Sequence, residues 1–158
     1  MKSAELDNLV ALGELQLQPA RKSEIDGILR RAAELLEGAQ NTSNPLSVRF
    51  SLAYSAAHAL AHGALRMAGY RSKRRGVAFQ CIVHVLPCSD DEAATLITAH
   101  GIRNDVEYDG LLDPHLGFVE DLLNVTRLIQ DRALSRWQDL RPTLSSAPPR
   151  GGSPAAGL

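Results

Sequence analysis

The chain has 158 residues, 44% of them hydrophobic and 22% charged, enough for one domain with a real core and ordinary for a globular protein. Its formal net charge of -1 gives no global attraction to nucleic acid or to an anionic membrane, so any nucleic-acid contact must come from a local patch. The N-terminal MKSAELDNLV carries acids where an export signal is apolar. The most apolar window, Phe50 to Tyr70, is interrupted by His58, His62 and Arg66, which suits a protein core and no bilayer. The expected location is the cytoplasm, with no membrane contact.

Helical spacing runs through the whole chain, with no strand-like alternation and no internal repeat. A short helix is predicted from about Ser3 to Gly13, followed by a connector over Leu15–Ala20. A stronger helix spans Ser23 to Ala39, with Ser23 as N-cap and Ile25, Ile28, Leu29, Ala32, Leu35 and Leu36 on one face. Asn44 and Pro45 read as cap and first residue of a long central helix. Gly69 stops that helix, and its many alanines admit close neighbours.

Arg71-Ser72-Lys73-Arg74-Arg75-Gly76 reads as a basic turn. A shorter helix, Val77 to Leu86, ends at Pro87. Ser89 and Glu92 form a capping box that opens the next helix, which runs to about Gly110. Asp113-Pro114 opens the last helix, to about Trp137, with Leu116, Val119, Leu122, Leu123, Ile129 and Ala133 on its buried face. After Arg141 the composition turns to Pro, Gly, Ser and Ala, too poor in apolar side chains to order itself.

The predicted fold is therefore all-α, an antiparallel bundle of four to five helices joined by short loops. Residues 1–22 give a short helix and connector, 23–140 the bundle, and 141–158 a disordered tail. The two cysteines, Cys81 and Cys88, would lie about two turns, roughly 10 Å, apart on one helix. That is too far for a disulfide, and without a second pair they make no zinc site. Two buried, reduced thiols are expected, with no metal or cofactor.

Function is most legible in Arg103-Asn104-Asp105-Val106-Glu107-Tyr108-Asp109-Gly110. A half-buried helix needs no such cluster for packing, and an Arg beside an amide and carboxylates is a group that meets phosphate or a partner chain. Together with the Ala-rich central helix FSLAYSAAHALAHGALRMAGYR and the short helix after it, Arg103-Asn104 resembles the HEPN superfamily (higher eukaryotes and prokaryotes nucleotide-binding) over residues 23 to 138. That resemblance implies a homodimer with both copies facing one cleft. It also implies a role of toxin-antitoxin or defence type, often beside a nucleotidyltransferase antitoxin, and in many members cleavage of RNA.

In the family's active pattern four to six residues separate the Arg from a His. Here Arg103 matches the Arg and Asn104 the polar residue, but Tyr108, Asp109 and Gly110 stand where the His should be. Metal-free RNA cleavage needs a base for the 2′-hydroxyl and a cation for the phosphorane. A Tyr with a pKa of about 10 is a poor base at pH 7, though it can hydrogen-bond phosphate or stack on a base. Arg103, Asn104 and Tyr108 are thus the candidate catalytic residues of an RNA-binding protein or a non-catalytic dimeric interaction module. An active metal-free endoribonuclease with a substitute base is the alternative.

Glu107, four residues from Arg103, fits an intrahelical salt bridge, and Asp105 a solvated face. Tyr54, His58 and His62 form a stripe on the central helix. That stripe could line a subunit interface, pack as neutral imidazoles, hold a metal, or bring a base to the Arg103 cleft. His100 precedes Arg103 by three and could share its face. The candidate RNA-binding residues are Arg66, Arg71, Lys73, Arg74 and Arg75, the one dense cationic patch. Aromatics are too few, at 4%, for a base-stacking platform.

Overall fold

The computed structural model describes residues 3–109 and 114–144, the side chains of 106–109 excepted. Among these residues the protein is a helical bundle of six helices with one two-stranded ribbon. The order is α1 (Ala4–Ala11), β1 (Leu15–Leu17), α2 (Lys22–Gln40), α3 (Leu46–Met67), β2 (Tyr70–Ser72), α4 (Arg75–Val85), α5 (Asp90–Asp109), α6 (Leu116–Leu140) and a 3-10 turn at Arg141–Thr143. None of the described helices is long and apolar enough to cross a membrane.

The centre is α3. Phe50, Ala53, Tyr54, Ala56, Ala57, Leu60, Ala61, Ala64 and Leu65 are all buried, so this helix is apolar on most of its circumference. Its small side chains let α2 approach closely. A Cβ on Gly38 would lie 2.9 Å from Leu52, and one on Gly63 would lie 2.9 Å from Ile28. Those two pairings, late α2 against early α3 and the reverse, make the helices antiparallel. Of the predicted α2 face, Ile25, Leu29, Ala32 and Leu36 are buried against it, joined by Ala39, while Ile28 and Leu35 are only partly buried at its edge. In α6 the buried set is Val119, Leu122, Leu123, Thr126, Ile129, Ala133 and Trp137.

Several sequence expectations are corrected at the helix ends. Leu116, expected in the core, is 48% exposed: it is the first residue of α6, after the N-cap His115, and Phe118 and Val119 of the same turn meet the core in its place. Ser23 lies inside α2, with Arg21 at the N-cap and no capping side chain. Pro45, not Asn44, occupies the α3 N-cap, and the Asn44 amide instead donates to the Gly38 carbonyl at 3.0 Å. Cys88 falls beyond the end of α4, so the two free thiols do not share a helix. Burial pushes both thiols up to about 11. The capping box does form, with reciprocal Ser89–Glu92 bonds of 3.0 and 3.1 Å.

The larger correction is the ribbon. Leu15–Leu17 pairs antiparallel with Tyr70–Ser72, Leu15 opposite Ser72 and Leu17 opposite Tyr70, where a connector and part of the basic turn were expected. Three-residue strands are too short to show a period of two, and what forms them is tertiary. Leu15 and Tyr70 enter the core, and Gly69 turns the chain out of α3 at φ +89°, a conformation that a side chain would strain.

Beneath the ribbon lies Arg66, 1% exposed. Its guanidinium donates to the Gln18, Pro19 and Tyr70 carbonyls and to both Glu24 oxygens, at 2.6 to 3.2 Å. The N-terminal segment is thereby tied into the bundle. At the other end Trp137 donates to Asp26 at 2.7 Å and Arg141 pairs with the same carboxylate at 3.1 Å, so ordered packing extends past residue 140.

Candidate functional site

His100, Arg103 and Asn104 lie at i, i+3 and i+4 on α5, hence on one face. That face meets the first turn of α4 and Tyr54 of α3 around a cleft of about 830 Å³, whose lining includes Arg74, Arg75, Gly76 and Gln80. The sequence brings them together simply. The capping box fixes where α5 starts, and α4 begins directly after the ribbon, which sets its first turn, with Arg75 and Gly76, against α5. Gly76 allows a close approach here: a Cβ would come 3.1 Å from His100 Nε2, and the imidazole would have to give by a few tenths of an ångström.

The residues are held to one another. The Tyr54 hydroxyl and His100 Nδ1 share a hydrogen bond of 2.8 Å, and the two rings lie nearly parallel, 15° apart in plane. Phe79 packs against both rings at centroid distances of 5.7 and 5.8 Å. The Arg103 guanidinium carbon stands 4.7 Å over the Tyr54 ring, within reach of a cation–π attraction. On the other ring nitrogen, Asn104 Nδ2 lies 3.4 Å from His100 Nε2. In the tautomer where Nδ1–H donates to Tyr54, the Nε2 lone pair is left for Asn104 and the cleft; in the other, the Tyr54 hydroxyl donates to Nδ1. Burial, then the nearby Arg75 and Arg103 charges, hold the His100 pKa below the ordinary imidazole value. These causes favour the neutral imidazole of His100 at pH 7.

Electrostatically the cleft favours anions. Arg74, Arg75 and Arg103 line it, the α4 N-terminus adds partial positive charge, and no carboxylate is among its described lining residues. Arg74 is partly spent on Glu14, 2.7 Å away. Arg75 is exposed and makes no ion pair among the described residues.

Of the predicted cationic patch, then, Arg74 and Arg75 reach the cleft and the others do not. Arg66 is buried in its clamp on Glu24 and is inaccessible to RNA. Arg71 stands 3.7 Å from Glu24, and Lys73 is exposed, away from the cleft lining. Asp105 is exposed, as expected of a solvated face. The expectations placed on Glu107 and Tyr108 fall outside the described side chains.

His58 and His62 stack with ring centroids 6.2 Å apart, and His58 meets the Phe79 ring edge-on. Burial, then repulsion from His62, Arg75, His100 and Arg103, lowers the His58 pKa to about 4. His62 is lowered too, by burial and then by Arg66 and Arg71. Both are neutral imidazoles at pH 7, and neither lines the main cleft. No group of three His, Cys, Asp or Glu able to hold a metal occurs among the described residues.

Sequence reading missed Gln80 and the role of Gly76, and it left Tyr54 on a stripe with His58 and His62. The one signal for Gly76 was a glycine directly after three cations. Compared with known proteins, the chain matches no family model, no curated protein and no solved structure.

Proposed function

We propose that this is a HEPN-like RNA-binding protein whose cleft takes the phosphate groups of single-stranded RNA. The observation that carries the reading is the juxtaposition of Arg74, Arg75 and Arg103, from two helices, around one cleft without a described carboxylate. Such forks bind phosphate oxygens in charge-assisted pairs, and Asn104, Gln80 and Tyr54 supply neutral partners for sugar or base edges. A homodimer, a cytoplasmic location and a nucleotidyltransferase or other defence partner belong to the same reading, by resemblance. The test is to titrate 15N-labelled protein with a single-stranded RNA and map the shifted amides. Shifts should centre on Gly76, His100, Arg103 and Asn104. Shifts centred on the ribbon face with Arg71 and Lys73, or none at low salt, would reject it.

One observation favours a second reading, RNA cleavage. His100 lines the cleft beside Arg103 with its imidazole favoured neutral, and in the tautomer with Nδ1–H on Tyr54 its Nε2 offers the base that Tyr108 cannot. Nε2 would take the 2′-hydroxyl proton as that oxygen attacks phosphorus. The P–O5′ bond breaks, the leaving oxygen takes a proton from water, and a 2′,3′-cyclic phosphate forms, with Arg103 neutralising the phosphorane. With EDTA present, His100→Gln is expected to lower cleavage by about 100-fold or more while RNA affinity holds. Wild-type protein that binds RNA and leaves it intact removes the enzyme reading and keeps the binding one.

A further inference from the structure

A smaller cavity of about 210 Å³ shares Tyr54 and Arg75 with the main cleft and is completed by Arg31 of α2 and by Ser55 and His58 of α3. Its size lies below that of pockets for drug-sized ligands and suits a single small group. Its polar chemistry is rich in donors: two guanidinium forks, the Tyr54 and Ser55 hydroxyls, and a neutral imidazole carrying one N–H. Arg31 and Arg75 are both exposed, and neither makes an ion pair among the described residues. No carboxylate is among the cavity's described lining residues.

We propose that this cavity is a second phosphate subsite, which takes the phosphate next along the strand from the one in the main cleft, with Arg75 shared between the two. Two adjoining anion sites bridged by one guanidinium fit a polyanion with regularly spaced phosphates better than a lone small anion. The inference rests on the RNA-binding reading of the main cleft and adds to it a direction for the strand, from α5 across the α4 N-terminus towards α2.

The test compares a dinucleotide with one phosphate and a pentanucleotide with four, each titrated into wild type, Arg31→Ala and Arg103→Ala. Arg31 is exposed on a helix surface, so its removal should leave the fold intact, checked by circular dichroism. Arg31→Ala is expected to weaken the pentanucleotide about tenfold and to reduce its salt slope by about 0.7, with dinucleotide binding unchanged. Arg103→Ala should weaken both. Arg31→Ala that binds the pentanucleotide like wild type, while Arg103→Ala is impaired, would overturn the second subsite and leave the main cleft standing. Equal weakening of both ligands by Arg31→Ala would reduce Arg31 to a general charge effect and overturn it as well. Wild type that binds neither ligand would bring down both readings.

Discussion

Arg66→Ala is expected to destabilise the protein by about 3–5 kcal/mol, the cost of breaking a buried ion pair by removing one partner. At this chain length that is a fall of about 10 °C or more in Tm, to be measured by thermal unfolding. The size follows from what the guanidinium holds. Five hydrogen bonds converge on it from Glu24, Gln18, Pro19 and Tyr70. Alanine would strand three carbonyls and a carboxylate that is only 26% exposed. The arginine beside Glu24 also holds that carboxyl below the usual carboxylate range, so part of the stabilisation is lost as pH falls through the carboxylate range. Arg66→Lys keeps the charge but not the planar fork, and should fall between wild type and alanine while retaining RNA affinity. A loss under 1 kcal/mol for alanine would mean that the clamp does not organise the ribbon.

How much of this could be read in the sequence depends on the range of the interaction concerned. The α2 face and the Ser89–Glu92 box are local, set by neighbours three or four residues away, and both appear as expected. The shared face of His100, Arg103 and Asn104 is also local, and spacing alone reveals it. Arg66 could not be placed that way. Five cations within ten residues read as one surface patch, and only the arrival of Glu24 and the Gln18–Pro19 carbonyls from sequence separations above 40 buries the first of them. The ribbon was invisible for the same reason, since its strands lie more than 50 residues apart. The pairing of Tyr54 with His100, 46 residues away, likewise turns a stripe residue into part of the cleft wall.

Arg103→Ala is the second large effect. The side chain is half-buried over Tyr54, which aims its charge into the cleft at little entropic cost. A charge-assisted bond to phosphate contributes about 1.5–3 kcal/mol, so the variant should bind single-stranded RNA roughly 10- to 100-fold more weakly. The cation–π attraction between Arg103 and Tyr54 contributes only about 0.5–1 kcal/mol to stability, and circular dichroism checks that the variant is folded. The most direct test of the phosphate-binding cleft is the affinity of wild type and Arg103→Ala for one labelled single-stranded RNA across a salt series. The predicted result is a linear fall of log affinity with log salt for wild type. For Arg103→Ala the line should be displaced to weaker binding and its slope shallower by about 0.7. Coincident lines for the two proteins, or wild-type binding indifferent to salt, would contradict the account.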